Sequence, residues 1–265
     1  MMKNCIYNFR AVLQMLRRDS VAYVKRFRYQ IVNAIVIYPV TFTTTGVVIQ
    51  SNTFFDAGNV LYATNLFAAA VALPLFVLCV SVMSELLFDL DKNRFINYQM
   101  TILPAPMLLA QRLIVGTLLC FFCISFFYPI SSLIAYPYID MSQISWLYIY
   151  TILFFGSFCF CSYGLLAATY FTPRSLRVFW VRINRPLMIL GGFWVPSVLF
   201  VQWWEPMKYL LIINPLYYFS EGTRRGILNL ADCMPYSLSV AGLLILGILF
   251  FVGALIQFKR RVDYV

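Results

Sequence analysis

The sequence predicts an all-α membrane protein: six transmembrane helices, an N-terminal amphipathic interfacial helix and a re-entrant helical hairpin before the last span. Three observations lead there. Of 265 residues, 62% are hydrophobic and 11% charged, with mean hydropathy +0.80, whereas a soluble domain carries about 25% charged residues. The apolar residues come in runs near the ~20 residues that a helix needs to cross a bilayer. The basic residues are biased to one set of connections, as membrane topology demands. A net charge of +10 would suit nucleic acid, but no basic tract with interleaved aromatics lies outside the apolar runs, so no nucleic-acid partner is expected. Spans and short connections use up the length, making 1–265 a single membrane domain.

Within residues 1–29, Ile6, Phe9, Leu13 and Leu16 recur at helical spacing while Lys3, Arg10, Arg17 and Arg18 take other faces. That is the pattern of a cytoplasmic helix lying in the membrane interface. Asp19 is placed to cap a second piece carrying Lys25, Arg26 and Arg28. Such a helix either borders a gate at the inner leaflet or only anchors the orientation. The first apolar run begins near Tyr29, behind seven basic residues, unlike a cleavable signal peptide.

The spans follow in order: about 31–49, 61–82, 107–135, 146–170, 186–201 and 236–258, the last ending in Lys259-Arg260-Arg261. Gln50, Ser51, Asn52, Asp56, Gly58 and Asn59 form a short outer loop. Segments 1–30, 84–112, 172–185 and the C-terminus hold seven, three, four and three lysines or arginines, 17 of the 20. The opposite side has only Lys208, Arg224 and Arg225. Both termini are therefore expected in the cytoplasm.

Segment 84–106 joins the second and third spans. Glu85 and Asp89 are four apart and Lys92 three beyond, so the span should continue as a helix past the membrane. Leu103-Pro104-Ala105-Pro106 then breaks it. Mixed charge beside Phe95, Ile96 and Tyr98 fits a docking element for another protein, or simply a solvated helix and loop. Arg174, Arg177, Arg182 and Arg185 form the next cytoplasmic connection without an acid, suited to anionic membrane lipids.

Segment 203–235 is the proposed outer hairpin. The apolar run 209–213 is far too short to span. Asn214 is a good N-cap and Pro215 suits the first turn of a new helix. On it Tyr217, Glu221, Arg224 and Arg225 fall three and four apart, on one face. A capped, charged helix between spans reads as a re-entrant hairpin or as a surface loop and helix. On either reading Glu221 pairs with Arg224 or Arg225. Trp194, Trp203, Trp204, Tyr217 and Tyr218 cluster nearby, as candidates to line a substrate path or as an outer aromatic belt.

Seven cysteines are present, and all but Cys5 and Cys233 sit in apolar runs, as small hydrophobes do. Cys120-x-x-Cys123 and Cys159-x-Cys161 lack any histidine or adjacent carboxylate, so no metal ligand is assigned. No catalytic or cofactor-binding residue is assigned either.

This order of features resembles the membrane subunit of type-2 ABC exporters. Pro196 followed by Asn214-Pro215-Leu216-Tyr217, then Glu221 and Arg224, is similar to that family's proline…Asn-Pro-Leu-x-Tyr…Glu…Arg signature, and Leu103-Pro104-Ala105-Pro106 to the close of its coupling segment. The resemblance covers nearly the whole chain and implies a permease in the cytoplasmic (inner) membrane of a bacterium. It implies an ABC ATPase subunit in two copies, which binds ATP and Mg, and a second copy of this permease or a paralogue. Glu85, Asp89, Asp91, Arg94 and Tyr98 would couple to the ATPase, and Asn214, Pro215, Tyr217, Glu221 and Arg224 would form the outer gate. Trp194, Trp203, Trp204 and Tyr218 would border the path. The chain itself has no Gly-x-x-x-x-Gly-Lys-Ser/Thr phosphate loop, so it would be no enzyme on its own.

The substrate class would be an amphipathic small molecule or lipid, or else a lipid-linked polysaccharide. An intramembrane lipid-modifying enzyme would need acid–base groups or metal ligands at membrane depth. An ion-coupled carrier would need ionisable residues near the midplane. The apolar runs offer essentially none, since Glu85 and Glu221 fall at their edges.

Overall fold

The structure, a computed structural model, describes residues 28–51, 67–91, 104–135, 144–192, 204–228 and 233–263, with positions 14, 17, 18, 21, 24 and 25. Among these residues every regular element is a helix. They are α1 Arg28–Val32, a π turn Asn33–Ile37, α2 Tyr38–Ser51, α3 Ala72–Asp91, α4 Ala105–Ile124, α5 Phe127–Ala135 and α6 Trp146–Tyr170. Then come α7 Pro173–Phe179, a second π turn Trp180–Asn184, α8 Arg185–Leu190, α9 Met207–Ile213, α10 Pro215–Leu228 and α11 Tyr236–Asp263.

Four stretches are long and apolar enough to cross a membrane: Phe67–Ser84, Ala105–Ile134, Trp146–Tyr170 and Tyr236–Arg261. They coincide with the expected second, third, fourth and last spans and mark a membrane protein. The expected first span is helical from Arg28 to Ser51, but its π turn leaves pieces of five and 14 α-helical residues. The expected fifth span is helical only over 185–190 within the described residues, and 193–203 lie outside them. Most of 1–29 and of the segment after Asp91 also lies outside them.

Prolines explain where the helices are interrupted. A proline has no N–H for the carbonyl four residues back and its ring crowds that carbonyl. The π turn 33–37 precedes Pro39 and the π turn 180–184 precedes Pro186. Residues 70–71 form a turn ahead of Pro74, and 125–126 one ahead of Pro129. In the first of these the ladder widens so that the Tyr38 amide donates to the Asn33 carbonyl.

Helix α6 is the centre. It packs against α3, α4, α10 and, most extensively, α11. Contacts fix the directions: Tyr148 stacks on Tyr236 at 4.3 Å, while at the far end Arg261 donates to the carbonyls of Ala168, Thr169 and Phe171 at 3.3, 3.5 and 3.2 Å. Thus α6 and α11 run parallel, and Arg261 satisfies carbonyls that the end of α6 leaves without partners. The chain between them, 171–235, must therefore return to the end where α6 began. Exposed Arg174, Lys259 and Arg260 lie at the same end as Arg261. Thr172 and Ser175 start α7 with a reciprocal cap, each amide donating to the other's hydroxyl at 2.8 and 3.3 Å.

Small residues set the helix spacing, as in membrane bundles generally. Gly164 of α6 sits so close to α3 that a Cβ would stand 2.8 Å from Met83 Cβ and 3.1 Å from Val80 Cα. The outer face of α11, with Leu244, Ile245, Ile248, Leu249, Val252 and Ile256 exposed, is apolar and is covered by no other described element.

Candidate functional site

The site is built on α10. The chain leaves α9 at Asn214, which is extended (φ −87°, ψ 115°). Its Oδ1 accepts the Leu216 amide at 3.0 Å, capping the new helix as the sequence suggests, and Pro215 opens the first turn. The Asn214 Nδ2 donates at 2.8 Å to the carbonyl of Leu187. One side chain thus starts α10 and ties it to α8. At the other end the Gly226 carbonyl accepts the Ser145 amide at 2.8 Å, joining the last turn of α10 to the start of α6.

Helix α8 ends in Gly191-Gly192, and Gly192 takes φ 77°, a conformation that favours glycine. This turn leaves carbonyls pointing at α10. Ser220 Oγ donates to Gly191 O at 2.6 Å, and the Arg224 Nη2 donates to Gly192 O. With Asn214, three side chains of one element satisfy three carbonyls at the end of another. A bare helix end in an apolar setting would be costly.

The other arm of Arg224 is an ion pair. Nη1 donates to Glu221 Oε1 at 2.8 Å, with side chains 2% and 5% exposed. The sequence left the partner open between Arg224 and Arg225; it is Arg224. Arg225 is half-buried. Tyr128 of α5 closes this side: it lies beside Thr223 and Arg224 and donates its hydroxyl to the Ala68 carbonyl.

Around the pair, α10 is held by packing. Phe219 meets Phe160 with centroids 5.4 Å apart. Gly222 abuts Ile152 and Ser239, and Gly226 abuts Ile149. Tyr218 lies over Gly242 of α11, edge-on to Tyr217 at 5.5 Å, both half-buried. The expected one-sided set divides: Glu221 and Arg224 face inward, and Tyr217 and Arg225 stay partly accessible.

Of the remaining candidates, Trp204 is exposed ahead of α9, and nearby Lys208 donates to Glu205 at 2.9 Å, holding that carboxyl below its usual range. Trp194, Trp203, Arg94 and Tyr98 lie outside the described residues. Glu85, Asp89 and Asp91 fall on the last turns of α3, which continues as a helix to Asp91. Sequence reasoning missed Ser220, the Gly191-Gly192 turn and Tyr128; only the paired glycines carried a signal.

It also missed a meeting of thiols. Cys79 of α3, Cys120 of α4 and Cys161 of α6 are buried, with sulfurs all within 4.8 Å of one another. Among the described residues this is where a metal ion could be held. Each within-helix pair noted in the sequence is split, one member in the cluster and one outside. Chemically, then, the chain offers a desolvated ion pair locking a helix–break–helix element and a separate thiol cluster.

No protein-family model matches the chain. No curated protein is significantly similar to it.

Proposed function

We propose that the chain is the permease subunit of an ATP-driven exporter of the type-2 ABC kind, moving an amphipathic small molecule or lipid outward. The observation that carries this reading is the element 207–228, placed directly ahead of the last membrane-length helix. Its helices of seven and 14 residues are each too short for a hydrocarbon core of about 30 Å. Yet α10 is sunk among α6, α11 and α5. Broken backbone at membrane depth persists only where protein or water surrounds it, and the caps from Asn214, Ser220 and Arg224 supply that surrounding. On this reading 203–235 is the re-entrant outer gate.

The return of 171–235 to the starting end of α6 supports a fifth crossing between the two parallel helices, and Arg28–Ser51 serves as the first. Two copies of the chain, or one with a paralogue, enclose the path. Two ATPase subunits bind ATP and Mg and push on 84–106, through Glu85, Asp89, Asp91, Arg94 and Tyr98. Trp194, Trp203, Trp204 and Tyr218 border the outer end of the path. The basic residues of 1–29 rest on the cytoplasmic leaflet.

Affinity purification of the tagged chain in mild detergent, followed by mass spectrometry, tests this. The expected result is a soluble ATPase in one-to-one ratio whose hydrolysis rises on reconstitution with the chain. A chain recovered alone, stimulating no hydrolysis, refutes the exporter reading.

A further inference from the structure

Cys79, Cys120 and Cys161 come from three helices far apart in sequence, yet all three are fully buried and their sulfurs converge within 4.8 Å. Four-coordinate zinc–sulfur bonds of about 2.3 Å place ligand sulfurs about 3.8 Å apart, so the triangle need close by no more than about 1 Å. A second observation points inward. Thr117, one turn before Cys120, is 5% exposed, and its hydroxyl has no hydrogen-bond partner beyond the neighbouring Cys161 thiol. Buried hydroxyls are normally satisfied, and the neighbouring thiols are weak partners. The Cys79 thiol, by contrast, reaches the Ser157 carbonyl at 3.8 Å.

We propose that Cys79, Cys120 and Cys161, with the Thr117 hydroxyl at the fourth corner, form a closed structural site for a thiophilic divalent ion of the zinc class. Such an ion ties α3, α4 and α6 together. Thiolates select zinc or copper(I) among common ions. Three thiolates leave one net negative charge around a divalent ion and two around a monovalent one, and an apolar interior favours the smaller residue of charge. Each thiol loses its proton to water on loading. Because the site is sealed, the ion enters as the helices pack. Nothing in this depends on what the chain transports.

The test uses the full chain, produced with added zinc, purified in mild detergent and assayed for metal by mass spectrometry, with cobalt(II) as the spectroscopic stand-in. Wild type and Cys159→Ser, a buried cysteine outside the cluster, should each hold about one zinc per chain and show sulfur-to-cobalt charge transfer. Cys79→Ser, Cys120→Ser and Cys161→Ser should each lose about tenfold or more of that metal while eluting as a single species, and Thr117→Val should lower occupancy several-fold. Wild type with less than about a tenth of a zinc per chain and no charge-transfer band overturns the proposal, whatever the variants do. Zinc that persists in the three cysteine variants also overturns it. Stoichiometric copper(I) in place of zinc overturns the divalent assignment.

Discussion

Removing one charge of the Glu221–Arg224 pair should cost more than removing both. The two groups meet at 2.8 Å with side chains 5% and 2% exposed, so neither reaches water unless α10 moves. Glu221→Gln keeps the shape but leaves a guanidinium charged in a dry site, a loss of about 3–5 kcal/mol. Glu221→Leu combined with Arg224→Met removes both charges at similar volume. Among the described bonds, this leaves the Gly192 carbonyl without its donor, worth about 1–3 kcal/mol. The double variant should therefore be more stable than Glu221→Gln by about 2 kcal/mol. Equilibrium unfolding of the purified chain in mixed micelles, driven by rising SDS, measures the order directly. A double variant less stable than the single would refute the claim that the pair is desolvated. So would a Glu221→Gln loss below about 1 kcal/mol, the range of a surface pair.

Three further perturbations read other parts of the bundle. Gly164→Ala should destabilise by about 1–3 kcal/mol by overpacking, because its Cβ meets the backbone of α3 at Val80 Cα, 3.1 Å away; Gly253→Ala, whose nearest neighbour is a leucine methyl at 3.3 Å, should be close to neutral in the same unfolding assay. Tyr163→Phe removes the hydroxyl that donates to the buried Asn184 Oδ1 at 2.6 Å and should cost about 1–3 kcal/mol, with unchanged stability counting against that bond. Arg261→Gln should speed amide exchange around 171 without touching the start of α6, because the bonds of Arg261 among the described residues go to the far end of that helix; uniform exchange changes along α6 would contradict the local cap.

Apolar length made α6 and α11 readable, and Asn214-Pro215 marked the start of α10. The spacing of Glu221 and Arg224 announced a pair but not its burial, because an acid and a base three apart look alike on a wet surface and in a dry core. Ser220 was hidden for a simpler reason: serine next to a charged turn is common, and its partner, the Gly191 carbonyl, lies 29 residues away. The prolines were visible, but a proline says only that a carbonyl is freed, not whether the helix answers with a π turn, as at 33–37, or with a short turn inside one continuous stretch, as at 125–126. The cysteines show the limit most plainly. Cys159 and Cys161, two apart on a helix, project to nearly opposite sides, and the partners of Cys161 in the cluster come from two other helices, 41 and 82 residues away in sequence.

The straps between α10 and the end of α8 also constrain how this part of the molecule can move. Asn214, Ser220 and Arg224 each hold a carbonyl of 187–192, and leaving any of these acceptors buried and unmet costs about 1–3 kcal/mol. A motion that slid α10 past a stationary α8 would break all three at once. A motion that carried 185–192 and 214–224 together would break none, and the flexing would fall to α9 and to the contacts of α10 with α6 and α11. If the proposed gate opens, it should do so as that joined body. Hydrogen exchange on the reconstituted chain tests it: amides of α8 and of 216–224 should report a common opening free energy, and Ser220→Ala combined with Asn214→Ala should let α8 exchange faster while α10 keeps most of its protection. Opening energies for the two helices that already differ in the unaltered chain would show that the straps do not couple them.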